Sequence, residues 1–218
     1  MRGAVYILGA VSIMGLFRNF TRLMLVFCAL AGLQTAYAKA KPKPVRAVQP
    51  VIAVVPAPTA PVVSVLENTL NLDLSTGGRV TILLDPAIAP AHVERIKTLA
   101  RRGFYNGLVF HRVIEGFMAQ TGDPTGTGTG ESDLPDLKAE FNPTPHLRGT
   151  VSMARTGDPD SANSQFFICF QPRFSLDRKY TVFGRVTSGM QFVDAIARGE
   201  PPTTPDKIVR ASIAADEK

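Results

Sequence analysis

Between residues 70 and 84 apolar and polar positions alternate: Leu70, Leu72 and Leu74 against Asn71, Asp73 and Ser75, then Val80, Ile82 and Leu84 after Gly77-Gly78. A period of two on either side of a glycine pair predicts a β-hairpin, ended by Asp85-Pro86. At residues 90–102 the period changes. Val93, Ile96, Lys97, Leu99 and Ala100 mark one helical stripe, Pro90 suits the first turn, and Arg101-Arg102-Gly103 closes the end. Short apolar strands are predicted at 149–155 (GTVSMAR), 165–170 (QFFICF), 179–186 (KYTVFGRV) and 207–213, with a second helix at 190–197 whose Phe192, Val193 and Ile196 face inward.

The densest stretch is 110–123, FHRVIEGFMAQTGD. Phe110, Arg112 and Ile114 alternate against His111 and Val113; past Gly116 the alternation resumes through Phe117, Ala119 and Thr121. Two strands, or one kinked strand, would put a guanidinium on the same face as apolar groups. Such a cation either snorkels at a rim with its stem packed or serves to recognise carbonyl oxygens. The stretch alone leaves both readings open. The pattern totals about eight short strands and two helices without a βαβ rhythm, which predicts an antiparallel barrel or sandwich with helices on its open ends. Residues 134–145 read as a long surface excursion and 156–164 as a loop rich in Gly, Asp, Pro, Ser and Asn.

Composition changes the picture mainly at the N-terminus. The formal charge is +6, but seven of the 24 basic residues and none of the 18 acidic ones fall in the first 63 positions. The remainder is nearly neutral, which argues against a nucleic-acid partner, because such a domain carries its own basic stripe. Arg18 and Arg22 precede an apolar run at 23–33, and Ala36-Tyr37-Ala38 has a small-x-small form. Residues 1–38 therefore read as an export signal cleaved after Ala38, with translation starting at Met1 or Met14. The alternative is an uncleaved membrane anchor. Residues 39–63 hold six prolines and read as a basic, semi-rigid spacer; residues 64–218 form the folded domain.

Little of the usual catalytic chemistry is present. Cleavage would leave only Cys169, set among the apolar residues of FFICF and read as core. His92, His111 and His146 are scattered and read as surface or structural residues rather than metal ligands. The glycine-rich run 122–130, GDPTGTGTG, lacks the lysine and helix of a phosphate loop and reads as a structured turn beside a groove. Asp158 and Asp160 lack the rest of a calcium loop. Neither a metal nor a cofactor is expected.

Three stretches together resemble the cyclophilin family of peptidyl-prolyl cis–trans isomerases: 110–130, FHRVIEGFMAQTGDPTGTGTG; 149–170, from GTVSMART to SANSQFFICF; and 176–186, LDRKYTVFGRV. The resemblance runs from about Asn68 to Ile213 in family order and spacing. It implies a mainly β fold, a closed eight-stranded antiparallel β-barrel capped by two α-helices, with the substrate groove on the barrel's outer face. By matching position, Arg112 is the catalytic arginine, and Phe117, Met118, Phe167 and Leu176 wall the pocket for the substrate proline. Gln120 bonds the substrate backbone, and Ala154 and Arg155 run beside the residue before the proline. Three positions depart from common family choices: Ser175 where tryptophan is frequent, which bears on cyclosporin sensitivity; Tyr180, also at the groove, where histidine is frequent; and Arg155 where animal members often have asparagine.

The function the resemblance implies is isomerisation of X–Pro bonds during folding of exported proteins, in the periplasm or outside the cell. The alternative is a proline-peptide binding module or holdase using the same groove with little turnover. The implied partners are proline-containing polypeptides, with a membrane involved only if the leader stays uncleaved, and nothing calls for more than a monomer.

Overall fold

The computed structural model describes residues 62–217. The predicted export signal and nearly all of the predicted spacer lie outside them. Helix α1, Val62–Glu67, begins within the last two positions assigned to that spacer. Strands β1 (Thr69–Leu74) and β2 (Gly78–Leu84) form the predicted hairpin, with Thr69 opposite Leu83 and Leu74 opposite Gly78. Gly77 turns it at φ +97°, a left-handed conformation that glycine adopts without steric cost.

Helix α2, Pro90–Arg101, follows. Its Val93, Ile96, Leu99 and Ala100 are buried, as the stripe requires. Its buried Arg95 donates to the carbonyls of Pro135 (2.5 Å) and Asn163 (3.2 Å), which pins the long excursion after the glycine-rich run to the helix. That excursion is less superficial than expected: Asn142 is buried and its amide donates to Val182 O at 2.9 Å.

The remaining strands are β3 (Arg112–Ile114), β4 (Met118–Thr121), β5 (Thr150–Met153), β6 (Phe166–Cys169), β7 (Val182–Ser188) and β8 (Ile208–Ile213). All eight strands join one antiparallel sheet in the order β3-β4-β6-β5-β7-β2-β1-β8. The expected closed barrel is corrected: the sheet is an open half-barrel, because β3 and β8 share no ladder. The second edge of β3 is taken instead by Gly199, which pairs with Val113. The chain just before it meets β8 through a single bridge, Val109 to Lys207, flanked by Phe110 N–H to Asp206 O (2.8 Å) and Ile208 N–H to Leu108 O (2.9 Å). The helices also differ from two full caps. The second predicted helix is reduced to α3, Met190–Asp194, and α1 is additional.

Alternation along the strands sorts side chains into two clusters. The concave core holds Leu70, Leu72, Ile82, Ala119, Val151, Phe166, Ile168 and Phe183, with Tyr105 and Phe166 packed edge to face at 5.5 Å. The outer cluster is smaller: Met118, Phe167 and Cys169, with Ile114, Phe117, Ala154, Leu176 and Tyr180 against them. Phe110 and Phe117 break the face assignments read from the sequence. Phe110 lies in the inner core although Arg112 and Ile114 face outward, because 110 precedes the ladder and is free of its alternation. Phe117 lies outside while Ala119 is inside, because Phe117 belongs to the β3–β4 turn and is free of strand alternation. The three histidines are buried, so their surface alternative is excluded.

Candidate active site

On the outer face one row of cross-strand partners crosses four strands. Arg112 of β3 is opposite Gln120 of β4, Gln120 is opposite Phe167 of β6, and Phe167 is opposite Ser152 of β5. Antiparallel register therefore brings together residues 55 positions apart in the chain. Around this row lies a cavity of about 110 Å³ lined by Arg112, Phe117, Met118, Gln120, Ala154, Arg155, Phe167, Leu176 and Tyr180. Every site residue predicted from the sequence is in that lining.

The floor is apolar and braced from beneath. Phe167 meets the Tyr180 ring edge to face at 5.8 Å and stacks on the buried His146 ring at 6.2 Å. His146 Nδ1 lies 2.9 Å from Asp177 and its Nε2 3.1 Å from Ser152 Oγ, and its backbone N–H donates to Asp177 at 2.8 Å. Hydrogen bonds from the His146 backbone and ring hold the Asp177 carboxyl below its usual range. These bonds fix the 3₁₀ turn Phe174–Leu176, which carries Leu176 to the pocket. Ser175, at the departing family position, lies in the same turn. Cys169, beside Met118 and Phe167, is fully buried, and burial pushes its thiol up to about 12. It is packing, as expected.

Cations frame this floor. Arg112 is half-exposed; its Nε donates to Glu200 Oε2 at 2.6 Å and its Nη1 lies 3.5 Å from Gln120 Oε1. Arg155 also lines the cavity and is tied to backbone carbonyls. Its guanidinium donates to the carbonyls of Lys179 (2.8 Å) and Thr156 (2.8 Å) and lies 4.6 Å from the centre of the Tyr180 ring. Arg173 lies 4.6 Å over the ring of Phe117, one of the lining residues.

A second cleft of about 240 Å³ adjoins the first and shares Gln120, Ala154 and Arg155 with it; the glycine-rich run and Gln165 line its far side. Gln120 Nε2 donates to Gln165 Oε1 at 2.9 Å, and Gln165 Nε2 donates to the carbonyls of Gly128 (3.1 Å) and Gly130 (2.9 Å). The run is held from inside by Asp123, which accepts from Thr125 N–H (2.7 Å), Thr125 Oγ1 (2.7 Å) and Gly128 N–H (2.5 Å). Burial alone would raise the Asp123 carboxyl, but these bonds bring it down to about 2. The run is thus the structured turn beside a groove that its composition indicated.

Sequence reasoning left Glu200, Gln165 and Arg173 without roles. Gln165 carried a signal, a polar residue heading an apolar strand. Glu200 carried none, because it lies 88 positions from Arg112 in a proline-rich connection.

The site suits substrate binding by an apolar pocket with one edge of hydrogen-bond donors and acceptors. The cyclophilin type peptidyl-prolyl cis-trans isomerase/CLD family model matches residues 70–213. A probable peptidyl-prolyl cis-trans isomerase of Brucella suis is 50% identical over 168 residues, covering 70% of this chain and 85% of that protein. Peptidyl-prolyl cis-trans isomerase B of Bacillus subtilis is 44% identical over 128 residues, covering 58% and 89%. Among solved structures, a cyclophilin from Hirschia baltica aligns with a TM-score of 0.65 at 33% identity, over 70% of this chain and 76% of that one. A cyclophilin type isomerase of Cryptosporidium parvum, crystallised in the presence of the dipeptide Ala-Pro, aligns with a TM-score of 0.63 at 26% identity, over 66% and 98%. The half-barrel, its outer groove and these matches lead to one conclusion: the chain belongs to the cyclophilin type peptidyl-prolyl cis-trans isomerase family and is an isomerase of that type.

Proposed function

We propose that Arg112 drives the isomerisation by donating to the twisted prolyl amide while the substrate proline sits against Phe117, Met118, Phe167 and Leu176. The observation that carries this reading is the position of the Arg112 guanidinium at the edge of an otherwise apolar pocket. An X–Pro bond differs by only ~0.5–1 kcal/mol between isomers but crosses a barrier of about 20 kcal/mol. The barrier is amide resonance, lost when the C–N bond is turned halfway. The prolyl nitrogen then becomes pyramidal and gains a basic lone pair. A donor aimed at that lone pair binds the transition state better than either planar state. A guanidinium is a permanent cation with a planar fork of donors, so it can serve the nitrogen and a neighbouring oxygen together. One charge-assisted hydrogen bond of ~1.5–3 kcal/mol supplies about one to two decades of rate.

Gln120, half-buried in the same row, holds the substrate backbone in this reading, with Ala154 and Arg155 flanking the residue before the proline. Tyr180 closes the pocket behind Phe167. The proline-containing substrates are the chains of exported proteins as they fold, a reading supported by the signal-like residues 1–38.

The test is isomerisation of an X-Pro tetrapeptide followed by NMR exchange. Wild-type protein accelerates it and Arg112→Ala loses most of the acceleration while still binding the peptide. Full activity in Arg112→Ala would remove the mechanism, and a wild-type chain that binds the peptide without turnover would leave a binding module. Export is tested by intact mass after expression with the full leader: a chain starting at Lys39 supports it, and one retaining 23–33 indicates an anchor.

A further inference from the structure

Two acids flank the short strand that carries Arg112, and they are committed to different partners. Glu115 accepts from Arg198 Nε at 2.7 Å, while Arg198 also donates to the Asp194 carbonyl at 2.8 Å and lies 4.3 Å over the Phe170 ring. Glu200 accepts from Arg112 Nε at 2.6 Å. That contact uses one side of the guanidinium. The terminal nitrogens have only the long contact to Gln120, and among the described residues no protein group accepts from Nη2.

Glu200 reaches Arg112 on a fixed mount. Its neighbour Gly199 pairs with Val113, the residue after Arg112, through Val113 N–H to Gly199 O (2.8 Å) and Gly199 N–H to Val113 O (2.9 Å). The free edge of β3 is thus clasped by the connection that bears Glu200. Gly199 is at φ +148°, and a Cβ there would come within 2.8 Å of Pro201 O, so glycine is required for the clasp. Pro201 and Pro202 follow and restrict the backbone further. Glu200 and Pro201 also line a cavity of about 460 Å³ that shares Arg112 and Gln120 with the proline pocket. The acid thus lines the neighbouring cavity and not the one that contains Phe167.

We infer that Glu200 is a positioning residue: by holding Arg112 Nε it fixes the guanidinium plane so that Nη1 and Nη2 face the prolyl amide. The inference rests on the reading of Arg112 as the transition-state donor. Both partners of the pair are about half-exposed, with side-chain exposures of 42% and 51%, so the pair contributes little to folding stability. Its effect belongs in turnover, because a donor useful only in the twisted state must be pre-aimed. A competitor role, with Glu200 drawing Arg112 away from substrate, fits less well, because competition requires the terminal nitrogens and Glu200 takes Nε.

The experiment compares the wild-type full chain with Glu200→Ala, Glu200→Gln, Glu115→Ala and Arg112→Ala by peptide kinetics and by the ¹⁵N–¹H signal of Arg112 Nε. Glu200→Ala is expected to lower kcat about three- to tenfold with KM and melting temperature unchanged. Glu200→Gln, which keeps an acceptor for Nε–H, stays within about twofold of wild type. The Nε–H signal is protected from exchange in wild type and Glu115→Ala, and loses that protection in Glu200→Ala. Wild-type or higher kcat in Glu200→Ala overturns the inference, as does an equal loss in Glu115→Ala or an effect confined to KM. Loss of activity in Arg112→Ala with full activity in Glu200→Ala overturns the Glu200 role alone; full activity in Arg112→Ala overturns the reading beneath it.

Discussion

Gln120 stands directly opposite Arg112 in the β3–β4 ladder and also bonds Gln165, so one amide links the pocket's cation to the loop that walls the neighbouring cleft. Neither contact is replaceable by an isosteric hydrocarbon. Gln120→Leu should leave the fold within about 1 kcal/mol of wild type, because the residue is only half-buried. It should lower kcat/KM about tenfold by removing the substrate hydrogen bond proposed for Gln120 and the brace on Gln165. Peptide isomerisation kinetics beside a urea titration check this; a fall in stability with intact turnover would contradict it.

Phe167 packs in the outer cluster and also lines the cavity proposed to hold the substrate proline. It is 5% exposed and lies between the His146 and Tyr180 rings. Truncation to alanine is expected to cost about 3–4 kcal/mol of stability. Phe167→Leu, closer in volume, should cost about 1 kcal/mol while raising KM for an X-Pro peptide, because the flat pocket floor is lost. Denaturation midpoints and KM measured on the same preparations separate the two effects.

Stability should decline on mild acidification. Burial lowers the pKa of His92 and of His111 below 6.5, against the raising influence of Glu140 on the first and Asp123 on the second. Below about pH 6.5 the unfolded chain binds protons at these positions that the folded chain refuses, so folding stability is full above that pH and is lost as pH falls. The urea midpoint should be lower at pH 5.0 than at pH 7.5, and His111→Leu should flatten the slope. An identical midpoint at both pH values would count against the burial argument.

Asp123 governs the glycine-rich run. Its folded pKa of about 2 lies below the ordinary 3.8, so its stabilisation is present above about pH 4 and is lost as pH falls toward 2. Asp123→Ala should cost about 2–3 kcal/mol at neutral pH by leaving the Thr125 and Gly128 donors unpaired. Amide exchange at 125–130 should quicken in the variant. Unchanged exchange there would show the run to be held by something else.

Cys169 should be inert in the folded protein. With no exposure and a thiol pushed up to about 12, it is shielded from water and carries almost no thiolate at neutral pH. Iodoacetamide is expected to label it only after denaturation, and native labelling within minutes at pH 7.5 would contradict the packing.

Residue order alone determined the elements whose patterns are local. The leucine hairpin at 70–84, the stripe of α2 and the short strands at 150–153, 166–169 and 208–213 follow from periods that each segment satisfies by itself. Family resemblance carried by three motifs also named every residue lining the 110 Å³ cavity, because those motifs supply β3, β4 and β6 and the segments beside β5 and β7. Tertiary structure decided the rest. Only the register of four strands aligns Arg112, Gln120, Phe167 and Ser152 in one row, and only the lack of a β3–β8 ladder makes the sheet a half-barrel. Phe110 and Phe117 took faces that alternation did not assign, because alternation holds inside a ladder and both lie just outside one. Glu200 met Arg112 across 88 residues through the clasp of Gly199 on Val113. A contact of that separation leaves no period in the sequence; backbone pairing at a free strand edge creates it.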